Sequence, residues 1–106
     1  MIKDEIQQLK SLLQQGWTQG TTARNVDHHA VDPLDESAVV WSIDGAIEKI
    51  SGGNGLNIQR LKMWISEYLR CLQFHRAPIY LWNDAFCRTQ QDVIAFLDLM
   101  MLDLED

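Results

Sequence analysis

The chain has 106 residues, 46% of them hydrophobic and 23% charged, with a formal charge of −6 at neutral pH. That length suits one domain spanning 1–106, and that composition suits a packed core rather than a disordered chain. The excess of carboxylates speaks against a nucleic-acid partner, and no apolar run approaches the ~18 residues of a membrane span.

The start, Met1-Ile2-Lys3-Asp4-Glu5, is too charged for a signal peptide. Cys71 and Cys87 form no C-x-x-C pair, so the expectation is a reduced, cytoplasmic protein. Cys71 is expected on the apolar side of a helix, and Cys87 in a loop beside Arg88 without an obvious base.

Ile2, Ile6, Leu9 and Leu13 step by three or four, which predicts a helix over 2–15 with Gly16 closing it. Residues 17–34 have no helical period. The β-formers of 17–24 suggest a short extended segment, and Asn25 to Pro33 a polar loop. A second helix is predicted from Asp35, an N-cap type, with Val39, Ile43, Ala46, Ile47 and Ile50 facing the core. Gly52-Gly53-Asn54-Gly55 stops it. The third helix is predicted over 57–75, on the stripe Ile58, Leu61, Trp64, Ile65, Tyr68, Leu69 and Leu72, with Pro78 ending it. Ile79 to Trp82 is a β-prone run that can pair with 17–24 in a minimal two-stranded ribbon. The last helix is predicted from Thr89. Thr89 and Asp92 form a capping box, and Val93, Phe96, Leu97, Met100 and Leu104 form the buried face. The fold expectation is therefore all-α or mostly α: a compact four-helix domain with at most a small ribbon.

Departures from these periods point to function. Trp41 falls opposite the predicted core stripe of the second helix, so something must cover it; the 17–34 segment with Trp17 is the structural candidate. Met63, Phe74, Leu99 and Leu102 fall on polar sides of the third and last helices and are interface candidates. A protein partner or a homodimer is expected to cover them. Trp17 and Trp82 adjoin polar residues, as at a binding pocket or a buried turn whose indole N–H needs an acceptor.

Catalytic signals are sparse. The sequence carries no G-x-S-x-G, P-loop, H-E-x-x-H or Rossmann glycine pattern, so a non-enzymatic role without cofactor is expected. Asp27-His28-His29 with Asp32 has metal-ligand residue types, and His75 is a conceivable distant ligand. The spacing fits no metal motif, and no metal is expected. Arg24 and Arg76 are candidates to pair with Asp84 and tie loops together.

Gly16-Trp17-Thr18-Gln19-Gly20, Ala23-Arg24, Val31-Asp32-Pro33-Leu34, Ala38-Val39-Val40-Trp41-Ser42 with Gly45-Ala46-Ile47, and Trp82-Asn83-Asp84 with Arg88-Thr89 together resemble one family. It comprises small bacterial and phage proteins known only as a domain of unknown function. The likeness covers about residues 9 to 98. The family pattern has Ser-Pro-Glu where this chain has Asp35-Glu36-Ser37. The resemblance implies no activity or cofactor. It singles out Trp17, Gln19, Arg24, Trp41, Trp82, Asn83 and Asp84.

Three functional expectations follow. The first is an interaction module that buries apolar helix faces against a copy of itself or another protein, with the Leu99–Leu102 side as the leading surface. The second is a ligand-binding or catalytic pocket near Trp17, Trp41 and Trp82. There Arg24 would meet an anion, Gln19 and Asn83 would orient the ligand, and Asp84 would be the general base. The third, from the phage side of the resemblance, is an inhibitor or modulator of a host protein.

Overall fold

The computed structural model describes residues 2–73 and 78–104. Among these the order is α1 (Ile2–Gln15), β1 (Ala23–Arg24), β2 (Val40–Trp41), α2 (Ile43–Ile50), α3 (Gly55–Gln73), α4 (Ile79–Asn83) and α5 (Gln90–Leu104). The protein is mostly helical, with five helices among the described residues where periodicity predicts four.

Helix α1 forms as its pattern dictates and lies at the centre of the packing, against α5 on one side and α2 on the other. Its stripe Ile6, Leu9 and Leu13 is fully buried. Val93, Phe96, Leu97 and Met100 of α5 and Ile43, Ala46 and Ile47 of α2 meet it in one core cluster. Each large side chain so buried contributes roughly 1.5–3 kcal/mol of transfer free energy. Lys10 pairs with Asp98 at 2.7 Å, and Arg60 of α3 pairs with Glu5. The capping box of α5 is present in both directions. The Asp92 N–H donates to Thr89 Oγ1 at 3.1 Å, and the Thr89 N–H donates to Asp92 Oδ2 at 3.0 Å.

The second helix does not begin at Asp35. The Asp35 carboxylate accepts the Ser37 N–H and hydroxyl, at 2.8 and 2.7 Å, and so closes a tight turn instead of capping a helix. The β-branched pair Val39-Val40 then runs extended, and β2 pairs antiparallel with β1, Ala23 opposite Trp41 and Arg24 opposite Val40. Helix α2 starts at Ile43 behind Ser42, whose Oγ accepts the Gly45 N–H at 3.1 Å. Trp41 therefore belongs to a strand, and its apparent place on the far face of a helix disappears. Val39 is exposed.

The ribbon partner differs as well. Residues 17–24 do not pair with 79–82; β1 pairs with β2, and Ile79–Asn83 is the short helix α4. Pro78 precedes its first residue with φ −60° and ψ 150°, a conformation that suits a proline leading into a helix. Ile79 and Asn83, four apart, are its buried face.

Helix α3 buries Leu61, Ile65 and Leu69. Two members of its predicted stripe are exposed instead, Trp64 and Leu72. Cys71, expected on the apolar side, is also exposed, as is Cys87. The helix packs on α2 and α4, and the face turned from them carries Trp64. Phe74, His75 and Arg76 lie outside the described residues.

Candidate functional site

The residues that carry the sequence resemblance converge on one seam, where the 17–20 segment meets the starts and ends of α2 and α4. Asn83 is its centre and is fully buried. Its Oδ1 accepts the Trp17 indole N–H at 2.9 Å and the Ile43 backbone N–H at 3.1 Å. Its Nδ2 donates to Thr18 O at 3.1 Å and to Asp84 Oδ1 at 2.9 Å. A side-chain amide has two donors and two acceptor lone pairs, and this one uses all four. Gln19 Nε2 donates to the carbonyls of Asn83 and Ala85 at 3.0 and 3.1 Å, and the Gly20 N–H donates to Asp84 Oδ1 at 3.0 Å. The seam thus joins three segments distant in sequence.

Backbone contact makes the same junction tight. The Trp41 N–H donates to Gly16 O, and the Thr18 N–H to Trp41 O, both at 3.1 Å. The Trp41 indole donates to Pro33 O at 3.2 Å, so the 17–34 segment does cover this ring. A Cβ on Gly45 would stand 1.8 Å from Thr22 O, and one on Gly16 would stand 2.5 Å from Val39 O. Glycine is required at both because backbone passes against backbone.

Arg24 does not pair with Asp84. Its guanidinium donates to Thr18 Oγ1, Gln19 O and His28 O at 3.0, 3.2 and 3.1 Å, tying two loops together. Arg88 Nε donates to Trp82 O at 2.9 Å, and its guanidinium lies 3.9 Å from the centre of the Trp82 ring. The ring centres of Trp82 and Phe96 are 5.0 Å apart, so this Trp bridges α4 to α5. Its buried indole N–H has no acceptor. Of the predicted pocket residues, Trp17, Gln19, Arg24, Trp41, Asn83 and Asp84 are thus brought together, their polar groups bonded to the protein itself, whereas the Trp82 ring turns to α5.

A cleft of about 290 Å³ opens beside the seam, lined by Gly20, Thr21, Thr22, Ser42, Asp44, Tyr80 and Asp84. Burial holds the Asp44 carboxyl above its ordinary range, Lys62 opposes this, and the nearby Asp84 charge adds to it. Lys62 Nζ stands 3.9 Å from Asp44 Oδ1. Asp44 is missed by the sequence reading, which has it inside a helix begun at Asp35. The signal available was Ser42 followed by an acidic first turn.

The predicted metal-type residues Asp27, His28 and His29 are exposed. Their loop is built on Asn25, whose Oδ1 accepts the N–H groups of Asp27 and His29 at 3.0 Å each. Among the described residues no three His, Cys, Asp or Glu side chains are placed to hold a metal ion.

Apolar side chains also remain on the outside. Leu99 and Leu102 of α5 are exposed, as is Met63 of α3. Leu56 and Trp64 join Met63, and with Gln59 and Arg60 they line a shallow cleft of about 250 Å³. Leu56 lies before the helix predicted from residue 57, and Trp64 is exposed where the stripe predicts a core residue.

Fold and seam together define a small mostly helical domain with a two-residue ribbon, closed by a buried asparagine. The chain belongs to DUF6197, a family of unknown function, which it matches over residues 3–100. No curated protein and no solved structure shows significant similarity to it. Among the described residues no helix is long and apolar enough to cross a membrane.

Proposed function

We propose that this protein is a non-enzymatic interaction module that associates with a second copy of itself through an exposed apolar helix face. The observation that supports it most is the outer side of α3. Leu56, Met63 and Trp64 stand at i, i+7 and i+8, on one face of the helix, and are 80%, 65% and 47% exposed. Hydrated apolar surface gathered in one place marks an interaction site. Leu99 and Leu102 on α5 offer a second, smaller strip. A second copy is the partner proposed because two-fold homodimers are the commonest assemblies.

Light scattering after gel filtration tests this, on wild type, on Met63→Asp with Trp64→Asp, and on Leu99→Asp with Leu102→Asp. Wild type is expected to have the mass of a dimer. The pair of changes that yields a folded monomer marks the interface, and the α3 pair is expected to do so. Wild type that stays monomeric at the highest soluble concentration contradicts self-association.

A second reading, a small-ligand site, is favoured by the cleft beside the seam and by the raised Asp44 carboxyl within it. Two carboxylates among hydroxyls suit a small organic cation. Nuclear magnetic resonance titration with simple ammonium compounds would move the Thr21, Thr22 and Asp44 amide signals if this reading holds. Signals that stay fixed under millimolar additions would end it.

A further inference from the structure

We infer that Asn54 is a site of spontaneous covalent conversion, the one asparagine of the four in this chain that the fold leaves open to deamidation. The reaction needs three things: a side-chain amide that water can reach, a following backbone nitrogen free to attack it, and little bulk on the following residue. Asn54 and Gly55 are both exposed. Gly55 is the first residue of α3, so its N–H has no partner within the helix. A Cβ on Gly55 would meet nothing within 4 Å beyond its own turn, so no other part of the fold packs against this residue. Asn54 caps α3: its Oδ1 accepts the Asn57 N–H and its carbonyl the Ile58 N–H, both at 3.0 Å, two bonds of the exposed first turn that open as the ring closes.

The other three asparagines lack this combination. Asn25 and Asn57 are followed by the β-branched residues Val26 and Ile58, and Asn57 lies within α3. Asn83 is fully buried with its side chain bonded at every position.

The step balances with water alone. The Gly55 nitrogen bonds to Asn54 Cγ, the Cγ–Nδ2 bond breaks, and ammonia leaves with the nitrogen's proton. Water then opens the cyclic imide at either carbonyl. One product is an aspartate at position 54, which still caps the helix. The other is an isoaspartate, whose main chain runs through the β-carbon. It moves the capping oxygen and loosens the turn that carries Leu56, at the edge of the exposed α3 face.

The test is peptide mapping by mass spectrometry of the folded protein held in warm, mildly alkaline buffer, beside Gly55→Ala. The expected result is an amide-to-acid mass gain at Asn54, partly as isoaspartate, with Asn25, Asn57 and Asn83 unchanged over the same interval. Gly55→Ala is expected to fold and to slow the conversion several-fold. An Asn54 that converts no faster than the other asparagines, or equally fast in Gly55→Ala, overturns the inference.

Discussion

The seam at Asn83 and the outer face of α3 are opposites. At the seam, a buried amide satisfies an indole, a helix N-terminus, a loop carbonyl and a carboxylate, and little is left for a ligand. On the outer face of α3, Leu56, Met63 and Trp64 meet water. The difference teaches where to look for function. Trp17, Gln19, Arg24, Trp41 and Asn83, which the sequence motifs single out, spend their polar groups on bonds within the fold. The surface with unspent binding capacity is made of ordinary helix residues that no motif announces.

Breaking the seam carries the largest expected effect. Asn83→Ala orphans the part-buried Trp17 indole and the buried Ile43 N–H, and should cost about 3 kcal/mol in urea unfolding. A loss below about 1 kcal/mol would show that water replaces those bonds. Gly45→Ala forces a methyl into Thr22 O and should cost about 1–3 kcal/mol. Gly55→Ala, with open space around it, should leave stability unchanged or raise it by a few tenths of a kcal/mol. Thr89→Ala removes one half of the α5 capping box and should lower stability by about 1 kcal/mol. On the α3 face the comparison predicts the reverse pattern. Met63→Asp with Trp64→Asp should lower monomer stability by about 1–2 kcal/mol, from the half-buried Trp64 ring and the lower helix propensity of Asp, while abolishing association.

The smallest effect concerns Asp44. Its folded carboxyl titrates above the ordinary range, so ionisation costs more in the fold than in the unfolded chain. That cost is absent below the unfolded value and complete above the folded one. Asp44→Asn should therefore gain on wild type as pH rises from acid to neutral, read by urea unfolding across pH. A gap that narrows as pH rises would contradict the assignment.

The sequence made α1 and α5 legible because each carries a regular apolar stripe with a clear end or capping box. It misled at Asp35, where good helix-start chemistry is consumed locally: the carboxylate bonds to Ser37, and the Val39-Val40 pair prefers extension. It misled again at Ile79–Asn83, where β-prone residues follow a proline that starts a helix. The i, i+4 pair Ile79 and Asn83 was the missed signal, hidden because one buried partner is polar. Trp64 sat on a stripe too broad to show which edge lacks a covering element, a matter settled only by how α2 and α4 pack on α3. The seam residues were found as a group, but sequence cannot reveal whether their polar atoms meet a ligand or each other.

The central claim is that the apolar face of α3 is an interface and the seam is scaffold. The most direct test is the thermal midpoint of wild type and of Met63→Asp with Trp64→Asp, each over a hundredfold range of protein concentration. Association stabilises by mass action, so the wild-type midpoint should climb with concentration while the variant's stays flat. A wild-type midpoint independent of concentration would contradict the account.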